Sequence, residues 1–503
     1  MTPSNRNRGL GLLGRLHDPK LILWWSVAWA VGVMALAPLV NLATPFLSSS
    51  YNNQWTPDIY WRLVMYWHGG IFIPWITVLA VLVSLKFNLA TIPGRAGRMI
   101  KESIFVGGFF AVPIAGAAGI FDVYDHFALG APLWLQIFAF LIGDEMAIAL
   151  LVALALHPKV HGTGYRGAGM PYYTILTGVS GALFAAFMGH AGGWISWFGP
   201  SPQAFGQYIN STMYPVLGYY NSTAVQAFAG DVVGSHSHLM LVSLMAGVVA
   251  LVALTFGYDT WSRGARRTAD FGFGVMVLSL IGAIWIYLVS GMGNYAIPTF
   301  FQSGLNGVAG DDLVTGAVGL AAVFVLAGLV AHSREGRTAE GKPLYRDPLF
   351  LSVVVAWVTI YLVIPITGYY VELNEVFYQN AGATFDAVFT RFHQDFGFFV
   401  LPALVTLLIS LEAFSISTRL RRYVGSLVIP GIALAFVFGE AYSLAAANVS
   451  PANMSQAGQV VVSCSIGTVT LDLAVLGGVL MGAGALISAV YLKLRVSGEG
   501  QSE

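Results

Sequence analysis

Six of the ten histidines in this 503-residue chain fall where apolar segments begin or end on one side of the sequence pattern. His68 stands in Tyr66-Trp67-His68-Gly69-Gly70, and His236 and His238 in Gly234-Ser235-His236-Ser237-His238-Leu239-Met240. His393 stands in Arg391-Phe392-His393-Gln394-Asp395, His190 closes the fifth apolar segment and His126 follows the third. Neutral imidazole is a strong ligand for iron, copper and zinc, and its presence inside a bilayer is costly enough to need a reason. A lone histidine at such a depth is as often an interhelical hydrogen bond. Four of them on segments 2, 6 and 10, all at about the same depth, point to metal or haem ligation. Similar lengths of chain separate His68 from His236 and His238 from His393, as expected of repeated groups of helices. The other four, His17, His157, His161 and His332, lie in or beside loops of the opposite side and read as solvated surface residues.

The His-Ser-His element has a geometry of its own. Residues i and i+2 of a helix point about 200° apart, at roughly 100° per residue. One segment can therefore serve two pockets, and His68, His236, His238 and His393 suffice for two bis-histidine haem sites. One haem with a hydrogen-bonded spare histidine is the other arrangement. Gly69, Gly70, Gly234 and Gly397 beside these ligands provide room for close approach. The single cysteine, Cys464, excludes a CxxCH attachment site, an iron–sulfur cluster and a disulfide framework, so a haem here is held non-covalently.

The elements that must position these residues follow from composition. Apolar residues make up 56% of the chain and charged residues only 10%, against roughly 25% charged in soluble proteins. That excludes a soluble enzyme, a disordered regulator and a nucleic-acid binder. A spanning helix needs about 20 apolar residues. Twelve such segments are expected, starting near Leu21, Leu63, Ile104, Leu133, Tyr172, Val232, Phe271, Leu313, Leu349, Phe392, Leu427 and Ile466. The expected fold is an all-α polytopic membrane protein, one transmembrane domain over residues 1–503. The first segment is too long for a signal-peptide core and is read as retained.

Charge sets the expected orientation. Of the 24 lysines and arginines, only Arg62 and Arg391 fall on the side that carries the segment-2, -6 and -10 histidines. By the positive-inside rule both termini are cytoplasmic, in an integral protein of a prokaryotic cytoplasmic membrane. Arg62 and Arg391 are then placed to pair with haem propionates on the outer face, and Asp231 or Asp395 to accept a hydrogen bond from a ligating imidazole or an arginine. The long, aromatic outer loops Trp197–Asp231 and Tyr369–Arg391 suit an outer-face redox subunit or a c-type cytochrome.

Four carboxylates lie within apolar segments: Asp144 and Glu145 in the fourth, Glu440 in the eleventh and Asp472 in the twelfth. Each is read either as part of a proton path or quinone site or as a structural hydrogen bond to a neighbouring helix.

Twelve segments, cytoplasmic termini and histidines opening segments 2, 6 and 10 resemble subunit I of the haem-copper oxidases and nitric oxide reductases. The resemblance implies three pseudo-symmetric four-helix arcs and a low-spin haem between segments 2 and 10. His68 matches the family's segment-2 ligand and His393 one of its two segment-10 ligands. The His-x-His doublet, however, stands on segment 6 instead of segment 10, and Trp285–Pro298 holds no histidine pair. The usual three-histidine copper centre has no place to form. With segment 6 aligned to the family's segment 10, His126 with Asp122 or Asp125 becomes a candidate iron site, an exposed acidic loop being the plainer reading. The expectation is a haem b cytochrome, with one or two haems, that passes electrons as the anchoring subunit of a respiratory complex, with quinone as the inner-side acceptor. A terminal oxygen or nitric oxide reductase with a rearranged metal site is the alternative. An ion or proton transporter is a third reading, in which the coplanar histidines are an accident.

Overall fold

With no water to bond exposed amides, a bilayer-spanning backbone must satisfy its hydrogen bonds within each segment, and helices do so. The computed structural model describes residues 16–43, 68–124, 131–161, 164–198, 222–290, 310–338, 341–358, 361, 418–447 and 464–499. Among these residues the structure is helical. Helix α1 (Pro19–Ala43) is followed by a π-helical turn (His68–Phe72) that runs into α2 (Ile73–Lys86). Helix α3 (Arg95–Val106) continues through a second π turn (Gly107–Ala111) into α4 (Val112–Tyr124), and α5 spans Ala131–His161. Then come α6 (Gly164–Phe198), α7 (Ser222–Thr255), α8 (Arg263–Ser290) and α9 (Gly310–Glu335). Helices α10 (Pro348–Val358), α11 (Thr418–Ala447) and α12 (Cys464–Glu499) complete the described chain. Seven of the described helical runs are long and apolar enough to cross a membrane, which makes this a polytopic membrane protein. Segments 3 and 4 of the sequence pattern correspond to α3–α4 and α5, and the segment expected from Phe392 lies outside the described residues.

The chain divides into two compact units. The first takes in residues Met1–Gly164, Asp347–Ala356 and Phe398–Glu503. Its core gathers Ile73, Ala111, Val112, Ala115 and Ala139, with Trp29, Ile114, Phe140 and Ile142 packed around them. Small residues let backbones meet: a Cβ on Gly431 of α11 would lie 2.8 Å from the Gly477 carbonyl oxygen of α12. Asp347 caps α10 by accepting from Leu349 N (2.9 Å) and Phe350 N (3.2 Å), and its other oxygen meets Arg421 of α11 at 3.2 Å. Asp18 caps the start of α1 in the same way, accepting from Lys20 N at 3.0 Å. Both aspartates precede a proline at the first helical position, where a missing N–H costs nothing.

The second unit takes in residues Tyr165–Arg346 and Trp357–Gly397. Here α8 and α9 meet at Gly272 and Gly328, where an added Cβ would lie 2.5 Å from Ala321 O and 2.6 Å from Ala265 O respectively. Trp357 Nε1 donates to Ala322 O (3.2 Å) and Tyr361 Oη to Met245 O (2.7 Å). Helix α6 bends at Gly169 (φ 50°), and a Cβ there would lie 3.3 Å from the Tyr258 ring and 3.4 Å from Arg266 Nη2. Tyr258 donates to Asp270; burial first, and that bond second, push its phenol well above the ordinary tyrosine range, against the opposing pull of Arg266.

The turns after α2 and α7 have the same build. Phe87-Asn88-Leu89-Ala90-Thr91 and Phe256-Gly257-Tyr258-Asp259-Thr260 each leave their helix through a left-handed residue, Asn88 (φ 51°, ψ 37°) or Gly257 (φ 66°, ψ 50°). A single 3-10 turn follows each. Thr91 Oγ1 donates to Asn88 O and Thr260 Oγ1 to Gly257 O, both at 2.7 Å. Asparagine and glycine are the residues that tolerate this backbone, so different sequences reach one geometry. The sequence carries a third Phe-x-x-x-Thr at Phe414–Thr418, ahead of α11. Arg95/Arg98, Arg263/Arg266 and Arg419/Arg422 open the helices that follow the three copies.

These turns correct the reading of two histidines. His157 and His332 are not solvated: they are 4% and 6% exposed. His157, near the end of α5, stands edge-on to Phe87 at 5.6 Å between ring centroids, and His332, near the end of α9, stacks on Trp261 at 5.5 Å. Each helix end is packed against the aromatic residue of the turn, which a count of loop residues does not reveal.

Removing one member of a buried ion pair strands the other charge. Asp347→Ala is expected to cost about 3–5 kcal/mol through the uncompensated Arg421, and a further Arg421→Met is expected to recover most of it. Thermal unfolding of the purified single and double variants measures both.

Candidate cofactor site

Of the histidines that open apolar segments, His68 and His236 have described side chains, and both sit where glycine brings helices together. His68 begins the π turn and is half-buried, 5.9 Å from the Phe72 ring centroid. The two glycines after it are wedged between helices: a Cβ on Gly69 would lie 2.5 Å from Ala115 O of α4 and collide with Gln136 of α5. One on Gly70 would lie 2.5 Å from Val33 of α1. A π turn inserts extra backbone into a helix and is a recurrent device at functional sites. Here the glycine pair permits the tight crossing that holds His68 at the start of the run.

His236 is fixed more fully. Its Nδ1 lies 2.6 Å from the Ala185 carbonyl oxygen of α6. A carbonyl only accepts, so Nδ1 carries the proton, and the neutral ring presents the Nε2 lone pair. Anchoring one ring nitrogen on a backbone carbonyl is how proteins orient metal-binding histidines. The ring rests on Gly189: a Cβ there would lie 2.5 Å from Cε1, 2.7 Å from Nδ1 and 2.9 Å from Nε2. Similar distances to all three atoms mean that Gly189 meets the face of the ring, which leaves the in-plane lone pair clear of this contact. Two to three turns along the same pair of helices, Gly178 and Gly181 meet Ser243 of α7. The α6 face Gly178, Gly181, Ala185, Gly189 is a small-residue stripe that seats α7, and His236 with it.

His190 directly follows Gly189, so the structure brings His190 and His236 to one α6–α7 crossing; His190 is half-buried. His238 lies on α7 and Glu440 and Asp472 on α11 and α12, with side chains outside the described residues. His393, His126, Arg62, Arg391, Asp125 and Asp395 lie outside them altogether, as do the side chains of Asp122 and Asp231. Among the described residues, no group of three or more histidine, cysteine or carboxylate side chains gathers around one point.

The adjacent carboxylates of α5 part company. Asp144 is buried (8% exposed), whereas Glu145 is exposed and accepts from Ser103 Oγ of α3 at 2.5 Å. Beside Ser103 on α3, Glu102 Oε2 meets His17 Nε2 at 3.0 Å, and the His17 ring stacks on Phe105. Ser103 and the glycine seats Gly178, Gly181 and Gly189 went unnoticed as site residues in the sequence. A small residue at every third or fourth position of an apolar segment is the signal that was there to find.

Comparison with family models, with curated proteins and with solved structures finds no match. The functional reading therefore rests on the residues themselves. A neutral imidazole anchored through Nδ1 on a backbone carbonyl, with Nε2 unprotonated, fits axial ligation of haem iron, and the glycine seat beneath the ring is space that any side chain would fill.

Gly189→Ala is expected to destabilise the protein by about 1–3 kcal/mol, because the new methyl group meets the His236 ring. In a His236→Ala background the same change is expected to cost much less. A double-mutant cycle by thermal unfolding reads the coupling between the two positions.

Proposed function

We propose that this chain is a membrane-embedded haem b subunit that transfers electrons within a respiratory complex. The observation that carries the reading is His236, whose tautomer is set by Ala185 O and whose ring is seated on Gly189. His68, His238 and His393 are the further iron ligands, with His190 beside the His236 seat, and Arg62 and Arg391 pair with the propionates. Haem supplies reversible one-electron exchange when bound. The protein's own part is to hold the imidazoles neutral and oriented, to keep water from them, and to keep the helices close enough that the ligands do not reorganise.

The architecture proposed with it is twelve spanning segments in three four-helix arcs, similar to subunit I of the haem-copper oxidases and nitric oxide reductases. Support comes from the matching turns Phe87–Thr91 and Phe256–Thr260 and from the third Phe-x-x-x-Thr at Phe414–Thr418. The chain boundary between the two compact units, at Gly164 and Tyr165, coincides with the junction of the first and second arcs. The one-sided basic residues support cytoplasmic termini, in a prokaryotic cell, as part of the same proposal. Electrons arrive at the outer face from a redox subunit or c-type cytochrome, and quinone exchanges with the membrane phase.

A pyridine haemochrome assay with metal analysis on one purified sample tests this. One or two haems b per chain are expected, with haem content falling by at least half in His68→Ala, His236→Ala and His393→Ala. A preparation without haem absorbance, or unchanged haem in all three variants, sinks the proposal.

A further inference from the structure

We infer that the outer face of α8 binds an anionic phospholipid, its phosphate held by Arg263 and Arg267 and its acyl chains lying over Gly274. The site goes beyond the electron-transfer reading and needs only that α8 crosses the membrane. The 23-residue run Arg263–Trp285 is about 34 Å long at 1.5 Å per residue, against a hydrocarbon core about 30 Å thick. Arginine thus marks one boundary of the core and tryptophan the other. At about 100° per residue, Arg263, Arg267, Phe271, Gly274, Leu278 and Trp285 fall within an arc of about 80°. That arc faces outward: both arginines are exposed, and Phe271 is 57%, Leu278 71% and Trp285 67% exposed. Gly274 stands in the middle of it, with no atom within 4 Å of the place a Cβ would take. The face therefore carries a recess between two projecting apolar side chains, two turns along from Arg267. The other side of the helix is closed, where Gly272 meets Ala321 O and Phe324 of α9.

Charge narrows the occupant. Asp270 is the only carboxylate in the α8 sequence, and it accepts from Tyr258, whose ring Arg266 covers at 4.9 Å. Asp270 and Arg266 are both taken up at that tyrosine, so the charge left on the outer face is that of Arg263 and Arg267. Helix α3, which opens with the matching arginine pair Arg95/Arg98, differs: its Glu102 is exposed beside Lys101 and offsets the basic stripe. Two arginines one turn apart have Cβ atoms about 6 Å apart, and their forked donors match phosphate oxygens. From Phe271 onward the face is apolar across the core. Its ligand must be anionic at one end and hydrocarbon for the rest, in that order across the membrane. Free phosphate or an acidic soluble protein meets the first condition alone, whereas an anionic diacyl phospholipid meets both. Phosphatidylcholine brings its own quaternary amine to the arginines and binds more weakly.

The test places a bimane label beside the recess, on Leu278→Cys in a Cys464→Ser background. The full-length protein, in phosphatidylcholine nanodiscs, is titrated with brominated phosphatidylglycerol or brominated phosphatidylcholine, whose bromine atoms quench the label on contact. Phosphatidylglycerol is expected to reach half-maximal quenching at a mole fraction at least tenfold lower than phosphatidylcholine. Arg263→Gln and Arg267→Gln are each expected to raise its midpoint about fivefold, and the double variant to lose the preference. Arg263→Lys keeps the charge and loses less. High salt weakens the preference of the unaltered arginine face, a readout that needs no arginine variant to fold. Equal quenching by the two lipids overturns the site, as does a preference that survives in the double variant or in high salt. The same preference at a label on Ile148→Cys, exposed on α5, also overturns it, because the attraction is then one of the whole basic surface. Quenching by neither lipid overturns it too, and shows a second copy or another protein's transmembrane helix on this face.

Discussion

The close approach of helices at glycine is the constraint on which the rest of this structure depends. Lipid is as apolar as leucine, so helices in a bilayer gain little from burying leucine against leucine and are held by van der Waals contact and hydrogen bonds. Where Gly178, Gly272, Gly328, Gly431 and Gly477 stand, one backbone lies against a carbonyl oxygen or amide of the next. His236 uses the same device. The space that Gly189 leaves empty is taken by the imidazole, and the approach of α6 brings Ala185 O within reach of Nδ1. Packing and ligand chemistry are thus one feature: the contact that joins the helices also selects the tautomer.

A second consequence appears at the turns. The turns after α2 and α7 share their left-handed residue, 3-10 turn and threonine bond, although only phenylalanine and threonine recur between them. The two turns thus share a geometry that their sequences do not share. Asn88 and Gly257 differ in chemistry but share tolerance of positive φ. The turns also explain why His157 and His332 are buried. Each closes a helix end against an aromatic residue, Phe87 or Trp261.

Much of the fold was legible because its signals are additive along the chain. Apolar length, scarce charge and the one-sided distribution of lysine and arginine each sum over many residues, and no single contact is needed to read them. The histidines were legible as candidates for the opposite reason: so few polar residues enter the apolar segments that each stands out. The candidate site was legible only as far as its residue types. His236 could be named from His-Ser-His, but its hydrogen-bond partner is a backbone carbonyl, and backbone carbonyls carry no sequence signature.

By itself the sequence determined that this is a helical protein of the membrane, and which basic residues and histidines flank its apolar stretches. Only the tertiary structure decided which way those residues turn. Asp144 and Glu145 are neighbours in the chain, yet one is buried and the other exposed, because successive helical residues point about 100° apart and only the packing of the neighbouring helices says which direction is inside. The tautomer of His236, the burial of His157 and His332 and the Ser103–Glu145 bond were settled in the same way. Each depends on a partner that is distant in sequence, and the identity of that partner follows from how whole helices pack.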